Sequence, residues 1–170
     1  VYASLPPSFC VVAQGAKDVL VGSDSFRYDP GRYLLTTLEL PLSATVVQAS
    51  VERPYLSLRL VLDPAVVTAM MVESGDIRQS GDGSVNAVGV SPLDADLLDA
   101  SLRLVRLASV PDEYRVVAPL VMREIVYRLL VGPQGNRLRH LARFGGQAHR
   151  IARAILTIRE NFNKPLRIDD

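Results

Sequence analysis

Cysteine occurs once in the 170 residues, at position 10. One thiol excludes an intramolecular disulfide framework. Histidine occurs twice, at 140 and 149, so the strand-rich first half has no imidazole. A cupin-type metal site needs about three or four converging ligands, usually His with a carboxylate. His140 and His149 lie nine residues apart, off the i, i+4 spacing of a helical metal pair. No metal and no cofactor is expected. There is no G-x-S-x-G, and no His near a Ser or Cys of the first half to activate it. Gly81-Asp82-Gly83 and Gly132-Pro133-Gln134-Gly135 lack the phosphate-loop pattern. The longest wholly apolar runs are a few residues, far short of the roughly 20 that span a membrane. A net charge of +1 excludes a polyanion binder as a whole. The opening Val1-Tyr2-Ala3-Ser4 lacks an initiator Met and resembles no signal peptide, so a piece of a longer protein is expected.

What is present fits one globular domain, or a domain with an appendage. Hydrophobic residues make up 48% and charged residues 22%, which excludes wholesale disorder. A chain of this length hides roughly 70% of its unfolded surface. Charge is uneven. Residues 1–133 hold 11 basic and 15 acidic side chains, and residues 134–170 hold 8 and 3. The acidic body and basic end suggest either a segment near nucleic acid or a partner, or simply a solvated helix face.

The first 62 residues read as strands. Phe9–Gln14 stops at Gly15, Val19–Val21 precedes Gly22-Ser23-Asp24, and Phe26–Tyr28 precedes Asp29-Pro30-Gly31. Tyr33–Leu40 and Thr45–Ala49 are split by Pro41. Tyr55–Leu62 alternates, with Leu56, Leu58, Leu60 and Leu62 on one face. Such spacing predicts an antiparallel sandwich or barrel. Asp63-Pro64 starts a short helix to about Glu73, Ser74–Ser84 reads as a loop, and Val85–Val90 as a strand. The fold class is therefore α+β.

Helices follow. Ser91-Pro92-Leu93-Asp94 reads as an N-cap, and Leu93, Leu97, Leu98, Leu102 and Val105 mark one face of a helix ended by Pro111. A second helix, about Glu113 to Val131, is apolar almost all round, with a thin polar stripe near Glu124 and Arg128. A short helix near Asn136–Phe144, a Gly145-Gly146 break and a helix over Gln147–Phe162 complete the chain. A helix apolar on two faces must bury both. One face of the second helix can cover the strands. The other predicts a homodimer through Val117, Leu120, Val121, Glu124, Ile125, Arg128 and Leu129. The simpler alternative is that the first helix covers that face.

A small barrel can hold one ligand. The candidate lining is Cys10, Val12, Tyr33, Leu35, Tyr55, Ser57 and Arg59. Tyr33 offers an aromatic wall with a hydroxyl, and Arg59 suits a carboxylate. Cys10 reads either as a small buried hydrophobe or as a reactive thiol. The Tyr55, Ser57 and Arg59 face reads equally as the solvent face of an edge strand. A register slip of one residue would exchange the two sets.

Several segments resemble one family. Phe9-Cys-Val-Val-Ala-Gln-Gly-Ala-Lys17, Tyr28-Asp-Pro-Gly-Arg-Tyr-Leu-Leu35 and Glu52-Arg-Pro-Tyr-Leu-Ser-Leu-Arg59 resemble the N-terminal domain of AraC-type transcriptional regulators. So do Gly132-Pro-Gln-Gly-Asn-Arg-Leu-Arg139, His149-Arg-Ile-Ala-Arg-Ala-Ile155 and Pro165-Leu-Arg-Ile-Asp-Asp170. The resemblance implies a cupin-like effector-binding barrel over 1–90 and a helical dimerisation region over 91–146. Residues 147–170 would be a linker and the first helix of a helix-turn-helix domain. It implies a non-enzymatic, cytoplasmic homodimer responding to a small organic effector. DNA would be bound only through a C-terminal domain absent from this chain, with Arg143, Arg150 and Arg153 near phosphates at most. Residues 1–9, with Pro6-Pro7, resemble an N-terminal arm. The alternatives are a dimerisation module that binds nothing and a metal-free cupin-like enzyme, for which Glu39 and Glu52 are the scattered acids on offer.

Overall fold

The structure is a computed structural model and describes residues 2–75 and 86–143. The expected loop at Ser74–Ser84 falls largely outside these residues. The Gly145-Gly146 break and the helix over Gln147–Phe162 fall wholly outside them.

Among the described residues, eight strands form two antiparallel four-stranded sheets. In chain order they are β1 (Tyr2–Leu5), β2 (Ser8–Gln14), β3 (Ala16–Val21), β4 (Asp24–Tyr28), β5 (Arg32–Thr36), β6 (Leu40–Gln48), β7 (Leu56–Val61) and β8 (Val88–Pro92). The first sheet has the order β1-β6-β3-β4 and the second β7-β2-β5-β8. The sheets do not close into a barrel; they face each other as a sandwich. Cys10, Val12, Val19, Tyr28, Leu34, Leu42 and Val88 fill the space between them. Gly15 makes the corner from β2 to β3. Its φ is +87°, and a Cβ there would lie 2.3 Å from the Gln48 carbonyl oxygen, so only glycine fits.

Four helices are described: α1 (Pro64–Glu73), α2 (Ala95–Leu107), α3 (Pro111–Val131) and α4, residues 135–143. They supply the second core, on the outer face of the second sheet. Phe9, Val11, Tyr33 and Leu35 share that core with Leu97, Leu104, Ile125, Leu129, Leu138 and Leu141. The second sheet is thus covered on both faces. This explains why β2 reads as a continuous apolar run rather than an alternating one; Ser8 to Val12 are all buried.

Asp63 caps α1 as its sequence suggests, accepting from the Ala65 N–H at 2.8 Å, with Pro64 at the first helical position. Four expectations change. Residues 2–5 are strand β1, paired with β6, and only Pro6-Pro7 separate it from β2. The strand expected to run to Leu40 ends at Thr36, and Pro41 lies inside β6 rather than breaking it. The ladder from β6 to β3 ends at Ser43, so Pro41 is paired with β1 alone, where a missing N–H is tolerated. Ser91-Pro92 finish β8, and Asp94 is the cap of α2, accepting from the Leu97 N–H at 2.8 Å. Pro111 opens α3 instead of merely closing α2.

Candidate functional site

Strand pairing decides which candidate residues meet. In β2 and β7, Cys10 pairs with Arg59 and Val12 with Ser57. In β2 and β5, Cys10 pairs with Leu34, whereas Val11 pairs with Tyr33 and Phe9 with Leu35. Paired residues project to the same face. Cys10, Val12, Ser57 and Arg59 therefore share the face toward the first sheet, and Tyr55 packs against the same inter-sheet cluster. Tyr33 and Leu35 point the other way, fully buried in the helix-side core. Five of the seven candidates thus share one face and two do not. Of the five, Cys10 and Val12 are buried, Tyr55 is half-buried, and Ser57 and Arg59 are exposed along edge strand β7.

Two residues outside the candidate set join them. Tyr28, the last residue of β4, is buried between the sheets, and its hydroxyl is close to both the Cys10 thiol and Tyr55. Lys17 of β3 places its Nζ 5.9 Å from the centre of the Tyr55 ring. Burial pushes the Cys10 thiol up to about 11, against the lowering influence of Lys17, Arg59 and the Tyr28 hydrogen bond. Burial raises Tyr28 further, with Cys10 and Tyr55 adding to it. The Tyr55 hydroxyl is buried and closes no hydrogen bond of ordinary geometry, although it lies near enough to Tyr28 to affect it. The cluster is therefore neutral at its centre, with two phenols and a protonated thiol, and cationic at its rim. That combination can donate hydrogen bonds and attract an anionic or carbonyl-bearing group; an un-ionised thiol is a poor nucleophile. Tyr28 and Lys17 stand at the ends of two of the resembling segments, where nothing in sequence marks either as a ligand contact. The strand register, which pairs Lys17 with Tyr28, brings them to Cys10.

On the opposite face, Tyr33 belongs to a junction between sheet and helices. Its hydroxyl faces Ser91 and Gln134 without closing an ordinary hydrogen bond, and burial raises its pKa. Gln134 Nε2 donates to the Gly89 carbonyl at 3.3 Å, and Arg137 Nε donates to the Asn86 carbonyl at 2.9 Å. Gly89 has no room for a side chain: a Cβ would sit 2.6 Å from both the Arg137 guanidinium carbon and Gln134 Oε1. The corner from α3 to α4 is thereby tied to edge strand β8.

The residues expected at a dimer interface lie mostly inside the protomer. Val121, Ile125 and Leu129 are buried, and Val117 packs against the same core. Glu124 accepts from Arg103 of α2 at 2.5 Å and from Arg128 at 2.9 Å, and Arg128 reaches Asp96 of α2 at 2.5 Å. α2 therefore covers the face assigned to a partner, as the simpler reading of the sequence has it. Leu120 alone of the seven is exposed, at 62%. It belongs instead to an outward stripe with Val116, Tyr127 and Val131.

Among the described residues, no three His, Cys, Asp or Glu side chains converge as a metal site, and no helix is long and apolar enough to cross a membrane. The sequence matches the family model of the AraC-type transcriptional regulator N-terminus over residues 2–137. No curated protein matches the chain.

Proposed function

Because the chain belongs to the AraC-type transcriptional regulator N-terminus family, we propose that it is the effector-sensing and dimerisation domain of such a regulator, with no enzymatic step of its own. DNA is read by a separate domain of the regulator. The effector is a small organic molecule with an anionic or carbonyl group. It is held between the sheets, at the edge where Cys10, Tyr28 and Tyr55 meet Lys17 and Arg59. The observation that carries this reading is the buried Tyr55 hydroxyl without an ordinary hydrogen bond, in a cluster with Cys10 and Tyr28 that Lys17 and Arg59 border. A buried polar group without a partner is costly unless something meets it.

Dimerisation uses the outer stripe of α3: Val116, Leu120, Tyr127 and Val131, at spacings of four, seven and four. This is one helical face, exposed and largely apolar; Arg123, which falls within it, pairs with Glu73 of α1. It replaces the inner face as the proposed interface. A dimerisation module that binds nothing is the second reading. The close packing of Cys10, Val12, Leu34 and Val88 favours it.

Native mass spectrometry of the purified chain separates the two readings. The sensor reading predicts a co-purified small mass that is lost in Arg59→Ala and Tyr28→Phe variants of unchanged secondary structure. A chain without added mass, also unshifted in melting temperature by a panel of small carboxylates and aldehydes, leaves the dimerisation module.

A further inference from the structure

We propose a second binding site, for a small uncharged apolar molecule, in the slot between α2 and the outer face of the second sheet. The slot has a volume of about 330 Å³. This is within the range of clefts that hold small molecules, roughly 300–1,000 Å³. Val11 and Leu58 form its floor, Leu98, Leu102 and Val105 of α2 form one wall, and Pro30 closes one end. Val12, a member of the Cys10 cluster, also borders it, so the slot and that cluster lie on the two faces of β2.

Charge matching selects the occupant. No charged side chain lines the slot. Its one hydroxyl, Ser101 Oγ, already donates to the Leu97 carbonyl at 2.7 Å. The Gly31 carbonyl at its end already accepts from the Leu93 N–H at 2.8 Å. An ionised ligand would lose its hydration there and find no partner. An uncharged ring or short hydrocarbon loses nothing and covers apolar surface. That surface is wet as it stands: Leu98 and Leu102 are 44% exposed and Val105 is 52% exposed. Covering it removes apolar surface from water, which favours binding.

Size fits a small molecule. The half-exposed residues span Leu98 to Val105, two turns of α2, about 10 Å along the helix. A single ring system fills such a length.

The test titrates the 170-residue chain with N-phenyl-1-naphthylamine, an uncharged fluorescent probe. The expected result is saturable binding of one probe per protomer, weakened at least about tenfold by Leu102→Arg. Leu102→Met should retain it, and circular dichroism and melting should show both variants folded. Val51→Arg, on the exposed loop between β6 and β7, should leave the affinity unchanged. In the Arg59→Ala variant, which weakens the anion-attracting cluster, the sulfonated analogue 8-anilinonaphthalene-1-sulfonate should bind at least about tenfold more weakly than the neutral probe. The proposal is overturned if the probe does not saturate, if Leu102→Arg binds it as well as the parent, if Val51→Arg abolishes binding, or if the sulfonate binds Arg59→Ala as well as the neutral probe does. Arg59→Ala and Tyr28→Phe leave the slot intact, so the sensor reading stands or falls separately.

Discussion

Cys10 shows how one residue's surroundings decide its chemistry. In sequence it is a lone thiol in an apolar run, open to two roles. In the fold, burial raises its pKa from an ordinary 9.0 to about 11, and the nearby Lys17 and Arg59 only moderate the rise. Thiolate, the reactive form, is scarce at neutral pH. Iodoacetamide should therefore label the folded chain far more slowly at pH 7 than the urea-unfolded chain, and faster as pH approaches 11. Rapid labelling at pH 7 would contradict the buried placement. The same shift fixes a sign for stability. The folded thiol holds its proton more tightly than the unfolded one. Its contribution is complete below pH 9 and is lost as pH rises to 11, by roughly 3 kcal/mol. Tyr28, raised in the same direction, adds to the alkaline loss. Cys10→Ala should flatten the fall in unfolding free energy between pH 9 and 11; an unchanged slope would remove Cys10 as its source.

At the scale of elements, the α2–α3 pair is fastened by Glu124. Hydrogen bonding from Arg103 holds its carboxyl below the usual glutamate range; partial burial opposes this and Arg128 assists. The stabilisation is therefore present above the ordinary glutamate pKa of 4.5 and is lost as pH falls through the lowered value. Glu124→Gln should cost about 1 kcal/mol at pH 7, since the pair is partly open to solvent, and should soften the acid limb of the stability curve. An acid limb identical to the parent's would show that the network is unformed in solution. Local signals for these elements were legible. Asp63-Pro64 announced α1, and the leucine alternation of Tyr55–Leu62 announced β7, because caps and edge-strand faces are written in neighbouring residues. The facing of β2 was not. An apolar run covered on both sides has no alternation, so the sequence could not show that Cys10 and Val12 look one way while Tyr33 and Leu35 look the other. Pro41 misled for a related reason: whether a proline breaks a strand depends on which neighbour needs its N–H.

For the whole molecule, the sandwich, the helical layer and the α+β class were legible from the change of period after residue 90. The partner of α3 was not. An all-apolar helix states that both faces are covered, but not by what. The structure gives the inner face to α2 and the sheet and leaves Val116, Leu120, Tyr127 and Val131 outside. In the proposed dimer this outer stripe joins two protomers of a sensing domain. Sedimentation equilibrium from micromolar to high micromolar concentration, on the parent chain and on Leu120→Glu, is the decisive measurement. The expected result is a parent dimer and a folded monomeric variant. A parent that stays monomeric throughout, or a Leu120→Glu chain that dimerises as tightly as the parent, would contradict it.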